Sequence, residues 1–169
     1  MAIRAAHRAI EEALATELLA RIRSNSFQFF EQVVVRLLLN MDYGGGVEEA
    51  GRTLGRSGDN GVDGVIDQDH LGLDRVYVQA KRYGPEVVVR PSEIRDFFGS
   101  LDRFRAAKGL FITTSRFSKS AHDTAEALSK RIVLIDGDQL ARLMIRHNVG
   151  VRIEDTLYLK KVDEDFFPD

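Results

Sequence analysis

Gly58-Asp59-Asn60-Gly61-Val62-Asp63-Gly64-Val65-Ile66 and, after it, Val76-Tyr77-Val78-Gln79-Ala80-Lys81 are the two stretches whose reading decides the fold. The second reads as a strand. Side chains alternate across a strand, so Gln79 and Lys81 share one face with Tyr77, while Val78 and Ala80 take the other. A chemical face and a core face therefore lie back to back. In the first stretch Asp63 stands among glycines and β-branched residues at the start of a strand. Between the two, Gln68-Asp69-His70-Leu71-Gly72-Leu73-Asp74 has the composition of a connecting turn. An antiparallel hairpin is expected, bringing the Asp63 carboxylate close to the Gln79 amide and the Lys81 ammonium.

Upstream, no Gly or Pro occurs before Gly44, which leaves room for two helices. The first carries Ile3, Ile10, Leu14, Leu18 and Ile22 as an apolar stripe among Arg and Glu, and such a stripe needs a partner. That partner is this domain itself, another subunit or a domain outside this chain; residues 1–24 are set apart as a connector or oligomer contact, with residues 25–169 as the main domain. Ser24-Asn25-Ser26 breaks the two helices, with Asn25 and Gln28 in capping-box spacing. The second helix is expected from Phe27 to Met41 and is apolar over most of its surface. Glu31 is its exception: its helical neighbours Phe27, Val34 and Val35 are apolar, which puts its carboxylate near the core side. A buried ion costs several kcal/mol unless paired, so Glu31 either reaches solvent or an Arg, or it faces a cation.

Downstream of the helices, Gly44-Gly45-Gly46 marks a helix end, and Glu48 to Leu54 is a candidate strand leading to the hairpin. A nucleotide-binding glycine loop is excluded, because neither glycine cluster has the strand-to-helix context or the Lys-Ser/Thr ending that such loops need. After Lys81, Pro91-Ser92-Glu93 opens a helix to about Arg105, and Lys108 to Ser115 is a strand apolar enough to be central. Ser118 caps a helix to about Lys130, Ile132 to Ile135 is a further buried strand, and Asp136-Gly137-Asp138 leads into a helix ending near His147. Val151 to Lys161 alternates weakly, as an edge strand would, before an acidic end. The fold class is α/β: a mixed central sheet, an antiparallel hairpin plus parallel strands, flanked by helices on both faces.

Composition narrows the chemistry. The chain has 169 residues, 44% hydrophobic and 30% charged, enough for one well-buried core. It has no cysteine, so disulfides and thiolate zinc sites are excluded; its four histidines show no ligand spacing. Any metal must be a hard cation held by oxygen. No apolar run approaches the roughly 20 residues of a membrane helix, so no membrane association and a cytoplasmic location are expected. The net charge of −2 is low for a protein that coats nucleic acid. Yet Arg75 to Lys119 holds ten Lys and Arg against four Asp and Glu, and Gly150 to Asp169 holds three against six. That local excess reads equally well as a phosphate-binding surface or as solvated helix faces.

Taken in order, Phe30-Glu31, the Asp63 stretch and Gln79-Ala80-Lys81 resemble the catalytic domain of Mrr-type restriction endonucleases in the PD-(D/E)XK nuclease superfamily. Lys108-Gly109-Leu110-Phe111-Ile112-Thr113-Thr114-Ser115-Arg116-Phe117-Ser118 and Leu134-Ile135-Asp136-Gly137 look like that family's following strands and turns. The match runs from about Phe27 to Gly150, without the first helix. The resemblance implies a metal-dependent endonuclease acting on double-stranded DNA, with Asp63, Gln79 and Lys81 as the core site and Glu31 as an accessory acid. Mg²⁺ is the implied ion, with Mn²⁺ as a substitute, and the implied setting is the cleavage module of a restriction or genome-defence system. A homodimer and a targeting domain outside this chain go with that reading.

The residue types suit that chemistry independently. Phosphodiester hydrolysis needs a hard cation, for which Asp63 supplies a charged oxygen, Gln79 an amide oxygen and Ala80 its carbonyl. Lys81 can orient or deprotonate the attacking water. Gln79 stands where the wider superfamily commonly has an acid, and Glu31 restores the missing charge. Asp59, in a glycine-rich turn, is weighed mainly as structural. Arg82, Thr114, Arg116 and Lys119 are candidates to grip the DNA backbone, each set against an ordinary role as a turn or solvent-facing residue. Tyr77 is weighed as packing, and His122 and His147 are given no role. Two alternatives stay open: another nuclease of the superfamily, a junction resolvase or repair enzyme, and a domain of this fold that binds nucleic acid or partners without cutting. Retention of both Asp63 and Lys81 argues against the second.

Overall fold

The computed structural model describes residues 2–44 and 61–167. In chain order the elements are α1 (Ala2–Ser24), α2 (Phe27–Asn40), β1 (Gly64–Asp67), β2 (Arg75–Lys81), β3 (Val88–Val89), α3 (Pro91–Arg103), β4 (Lys108–Thr113), β5 (Arg116–Phe117), α4 (Lys119–Ala127), β6 (Arg131–Ile135) and α5 (Gly137–Arg146). The candidate strand from Glu48 to Leu54, and Asp59 with it, lie outside the described residues.

The hairpin forms as expected. β1 pairs antiparallel with β2, Gly64 opposite Val78 and Asp67 opposite Arg75. Its turn is closed by the Gln68 amide donating to the Asp74 carbonyl at 2.7 Å. Within it, Asp69 accepts from the Leu71 amide at 2.8 Å and the Asp74 amide at 2.7 Å. These donors, Asp74's first, hold the Asp69 carboxyl below the usual carboxylate range.

β4 lies parallel beside β2, and β6 parallel beside β4, giving the order β1-β2-β4-β6. The apolar run of β4 is thus internal, and alternation divides it. Leu110 and Ile112 join Val78 and Ala80 in a core closed by Leu18 and Ile22 of α1, Phe30, Val34 and Leu37 of α2, and Leu140 and Met144 of α5. Phe111 points the other way, into a second core with Ile94, Phe97 and Leu101 of α3 and Ala121 and Ala125 of α4. At roughly 1.5–3 kcal/mol for each large side chain fully buried, these two layers hold the sheet between its helices. Gly109 marks how close α3 comes: a Cβ there would lie 2.7 Å from Phe97 and from Leu101.

Three details differ from the sequence reading. Helix α2 is capped by Ser26, whose Oγ accepts from the Phe29 amide at 3.1 Å, while Asn25 turns back to donate to the Arg21 carbonyl. Among the described residues β6 is an edge strand, paired with β4 alone, and its Val133 is substantially exposed. Residues 151–163 form no strand. Among the described residues they have no pairing partner, because the chain leaves α5 along α2: the Asn40 side-chain amide donates to the His147 carbonyl at 3.0 Å, and Val151 packs against the α1-α2-α5 core.

Candidate active site

Asp63 is the last residue before β1, still held in the ladder by its amide donating to the Val78 carbonyl at 2.8 Å. Its side chain reaches across the strand end. Oδ2 accepts from Gln79 Nε2 at 2.6 Å and from the Ala80 amide at 2.6 Å. The hydrogen-bonding edges of β2 explain why these groups meet. The Lys81 carbonyl faces β4, where it accepts from Thr113 Oγ1 at 2.9 Å and from the Thr114 amide at 3.2 Å. Val78 and Ala80 present their backbone groups to the opposite edge, toward Asp63, so the Ala80 carbonyl shares that side.

Burial governs the electrostatics. It pushes the Asp63 carboxyl above the ordinary carboxylate range, against the opposing pull of the Ala80 amide, the Lys81 ammonium and the Gln79 amide. The Glu31 carboxyl is pushed up as well, first by burial and then by the negative charge of Asp63. Glu31 on α2 is half-buried, beside a core that includes Phe30 and Val34. The structure therefore brings Asp63, Gln79, Ala80, Lys81 and Glu31 together from three elements. Lys81 is half-buried, and Gln79 is buried at 5% exposure.

The peripheral candidates divide. Thr114 is fully buried, and its hydroxyl both accepts from the Tyr83 amide at 2.8 Å and donates to the Tyr83 carbonyl at 2.7 Å. That hydroxyl is committed to the turn after β2, so a phosphate contact through it is ruled out by burial. Arg116 and Lys119 are exposed, and Lys119 lies 3.4 Å from Asp123 one helical turn on. Arg82 is half-buried and donates to the Arg23 carbonyl at 2.6 Å, which anchors it beneath the strand end. Arg23 in turn donates to the Thr114 carbonyl.

That Arg23–Arg82 latch ties the end of α1 to the strands carrying Lys81 and Thr114, and the sequence reading passed over Arg23. A contact between residues 91 positions apart leaves no local signal. A second unforeseen device is Glu93, whose carboxylate accepts from the Tyr83 hydroxyl at 2.8 Å and from the Arg90 amide at 3.0 Å. Burial and that carboxylate push the Tyr83 phenol up to about 12.

A mixed sheet clad by helices, with an aspartate at a hairpin strand's start aimed at a Gln-x-Lys strand end, defines the catalytic domain of a restriction-endonuclease-type nuclease. The chain belongs to the Mrr restriction endonuclease family: the family model Mrr_cat, described as restriction endonuclease, matches residues 22–144. The type IV methyl-directed restriction enzyme EcoKMrr of Escherichia coli strain K12 is 42% identical over 158 residues, covering 94% of this chain and 50% of that enzyme. Among solved structures, the MspJI restriction endonuclease in complex with a 27-mer oligonucleotide superposes with a TM-score of 0.61 at 27% identity, over 82% of this chain and 32% of that one. The DNA modification-dependent restriction endonuclease AspBHI shares the fold, with a TM-score of 0.56 at 18% identity over 83% of this chain and 36% of that one. The chain thus spans about half the length of EcoKMrr and about a third of each solved chain.

Proposed function

We propose that this domain hydrolyses phosphodiester bonds of double-stranded DNA in a Mg²⁺-dependent reaction, with Mn²⁺ as a substitute ion. Its setting is the cleavage module of a cytoplasmic genome-defence enzyme whose target is chosen by a module outside this chain. The observation that carries the reading is the convergence of Asp63, Gln79 and Ala80 within 2.6 Å bonds at the end of the strand that bears Lys81.

The donor set fits a hard cation. Among the described residues no three Asp, Glu, His or Cys side chains cluster closely enough to hold a metal by themselves. Neutral oxygens must complete the set, and Gln79 and Ala80 supply them beside Asp63. Gln79 offers Nε2 to Asp63, and a half-turn of its amide presents Oε1 at the same place. The charge of Asp63 adds to burial in raising Glu31's affinity for a proton, and a cation beside the two carboxyls relieves that repulsion. A bound Mg²⁺ would polarise the phosphate and acidify a water.

The chain's own groups do the rest. Asp63 is held by the Ala80 amide, a bond that remains when the Gln79 amide turns, so it needs little reorganisation to serve as a ligand. Lys81 orients the attacking water, takes its proton and offsets charge building on the phosphate oxygens. Glu31 adds the negative charge that Gln79 lacks. Arg116 in β5 and Lys119 at the start of α4 are exposed and contact the DNA backbone, while Arg82 is engaged by the Arg23 carbonyl.

Incubation of the purified protein with supercoiled plasmid in Mg²⁺ or in EDTA separates cutting from binding. Nicking in Mg²⁺ and none in EDTA supports the reading. Retardation of DNA in both, with no nick in either, overturns it in favour of a binding domain.

A further inference from the structure

Three buried hydroxyls at the end of β4 bind, in order, the segment that leaves Lys81. Thr113, Thr114 and Ser115 are all buried. Thr113 Oγ1 donates to the Lys81 carbonyl, Thr114 Oγ1 donates to the Tyr83 carbonyl and accepts from the Tyr83 amide, and Ser115 Oγ donates to the Val87 carbonyl. Inside that span the Val87 amide closes a turn on the Gly84 carbonyl at 3.1 Å. Beyond it Val88 and Val89 pair with Arg116 and Phe117, and the Ser118 amide donates to the Val89 carbonyl at 3.0 Å. Residues 83–89 thus make an arm fastened at both roots, with Pro85, Glu86 and Val87 exposed at its tip. A buried hydroxyl is costly unless bonded, and here all three are spent on one backbone segment. Such bracing suits a loop that must present its tip in a fixed place.

The arm is rooted on the face of the sheet that carries Gln79 and Lys81. Gln79 is opposite Phe111 in the parallel ladder, so their side chains face one layer. Phe117 packs edge-on to Phe111 with ring centroids 5.6 Å apart, and Val89, Phe117 and Tyr83 belong to that layer's core. We propose that the tip, Pro85 and Val87, seats in a groove of the duplex beside the phosphate on which Lys81 acts, and holds the DNA in register with the site. The inference rests on the reading of this chain as a DNA-cutting domain and names how that domain grips its substrate. The chemistry of the arm favours a groove. The Glu86 carboxylate folds back over Gly84, which leaves Pro85 and Val87 as an apolar tip. Arg90, which follows β3, and Arg116, opposite Val88, are exposed on its flank. Flanking cations meet phosphates, and an apolar tip meets sugars and base edges. An arm fixed before DNA arrives also lowers the ordering cost of binding.

The chain has no native cysteine, so a photo-crosslinker can be placed at one chosen position. Val87→Cys carrying benzophenone maleimide is mixed with end-labelled duplex in EDTA, illuminated and run on a denaturing gel. Leu71→Cys, 81% exposed in the hairpin turn at the other end of β2, is the control. Crosslinking at position 87 several-fold above that at position 71 is expected. The double variant Pro85→Ser/Val87→Ser is expected to raise the DNA concentration for half-maximal nicking by about tenfold, with the Mg²⁺ midpoint and the urea midpoint unchanged. Retarded DNA with no crosslink at position 87, equal crosslinking at both positions, or a double variant that half-saturates with DNA as the wild type does each overturns the proposal. Crosslinking at position 87 without nicking in Mg²⁺ keeps the arm and sinks the cleavage reading, while nicking without that crosslink does the reverse. A protein that neither retards nor nicks DNA overturns both.

Discussion

Oδ2 of Asp63 lies 2.6 Å from the amide nitrogen of Ala80, the residue between Gln79 and Lys81. The strand that presents the amide and the ammonium thus also fixes the carboxylate, and the arrangement is built by backbone pairing before any ion arrives.

That fixation has an electrostatic cost, and its sign is testable. Burial raises the Asp63 carboxyl's pKa in the folded state. Below the ordinary carboxylate pKa of about 4 the group is protonated folded and unfolded alike, and no penalty is felt. As pH rises through that value and then through the raised folded one, the unfolded chain ionises more readily and stability falls. Asp63→Asn keeps an oxygen for both donors and removes the charge. In EDTA it is expected to melt above the wild type at neutral pH, and the gap is expected to close toward about pH 4. A variant that melts lower at neutral pH contradicts this.

Glu31 shares the field of Asp63 without a hydrogen bond between them among the described contacts. Its part is charge rather than geometry, so Glu31→Gln is expected to need several-fold more Mg²⁺ for half-maximal nicking, with a maximal rate within about tenfold of the wild type. An unchanged Mg²⁺ midpoint removes Glu31 from the site.

The Arg82 guanidinium anchors the end of α1 through the Arg23 carbonyl at 2.6 Å. Arg82→Met keeps most of the packing and loses a charge-assisted bond, which is expected to cost about 1.5–3 kcal/mol in urea unfolding. A loss of only a few tenths would mean that the latch is not a structural tie.

Gly109 is opposite Tyr77 in the ladder, under Phe97 and Leu101. Gly109→Ala inserts a methyl where the nearest atoms are 2.7 Å away and is expected to destabilise by about 1–3 kcal/mol, read as a lower urea midpoint. Neutral behaviour would show that α3 can lift off the sheet freely.

The parts of this molecule that were legible in the sequence are those with a local period or a local cap. Alternation in Val76 to Lys81 placed Gln79 and Lys81 opposite Val78 and Ala80, and Pro91, Ser118 and Asp136 marked helix starts that the structure keeps. The hairpin followed because its turn is short, and with it came the approach of Asp63 to Gln79. What stayed hidden depends on distant contacts. Arg23 meets Thr114, and Asn40 meets His147, through chain separations that no window spans. Thr114 reads as a polar strand-end residue, yet both capacities of its hydroxyl are used by the Tyr83 backbone. The tail shows the limit from the other side: Leu157 to Leu159 has a strand's pattern, but a strand forms only where an edge is within reach.

The central claim is that Asp63 and Lys81 act on one phosphate through one divalent ion, and the initial nicking rate of supercoiled plasmid across a Mg²⁺ titration tests it most directly. The wild type is expected to nick with a saturable Mg²⁺ dependence, Asp63→Ala to show no metal-dependent nicking, and Lys81→Ala to fall by roughly 10²- to 10⁴-fold. Mg²⁺-dependent nicking by Asp63→Ala at the wild-type rate would contradict the account.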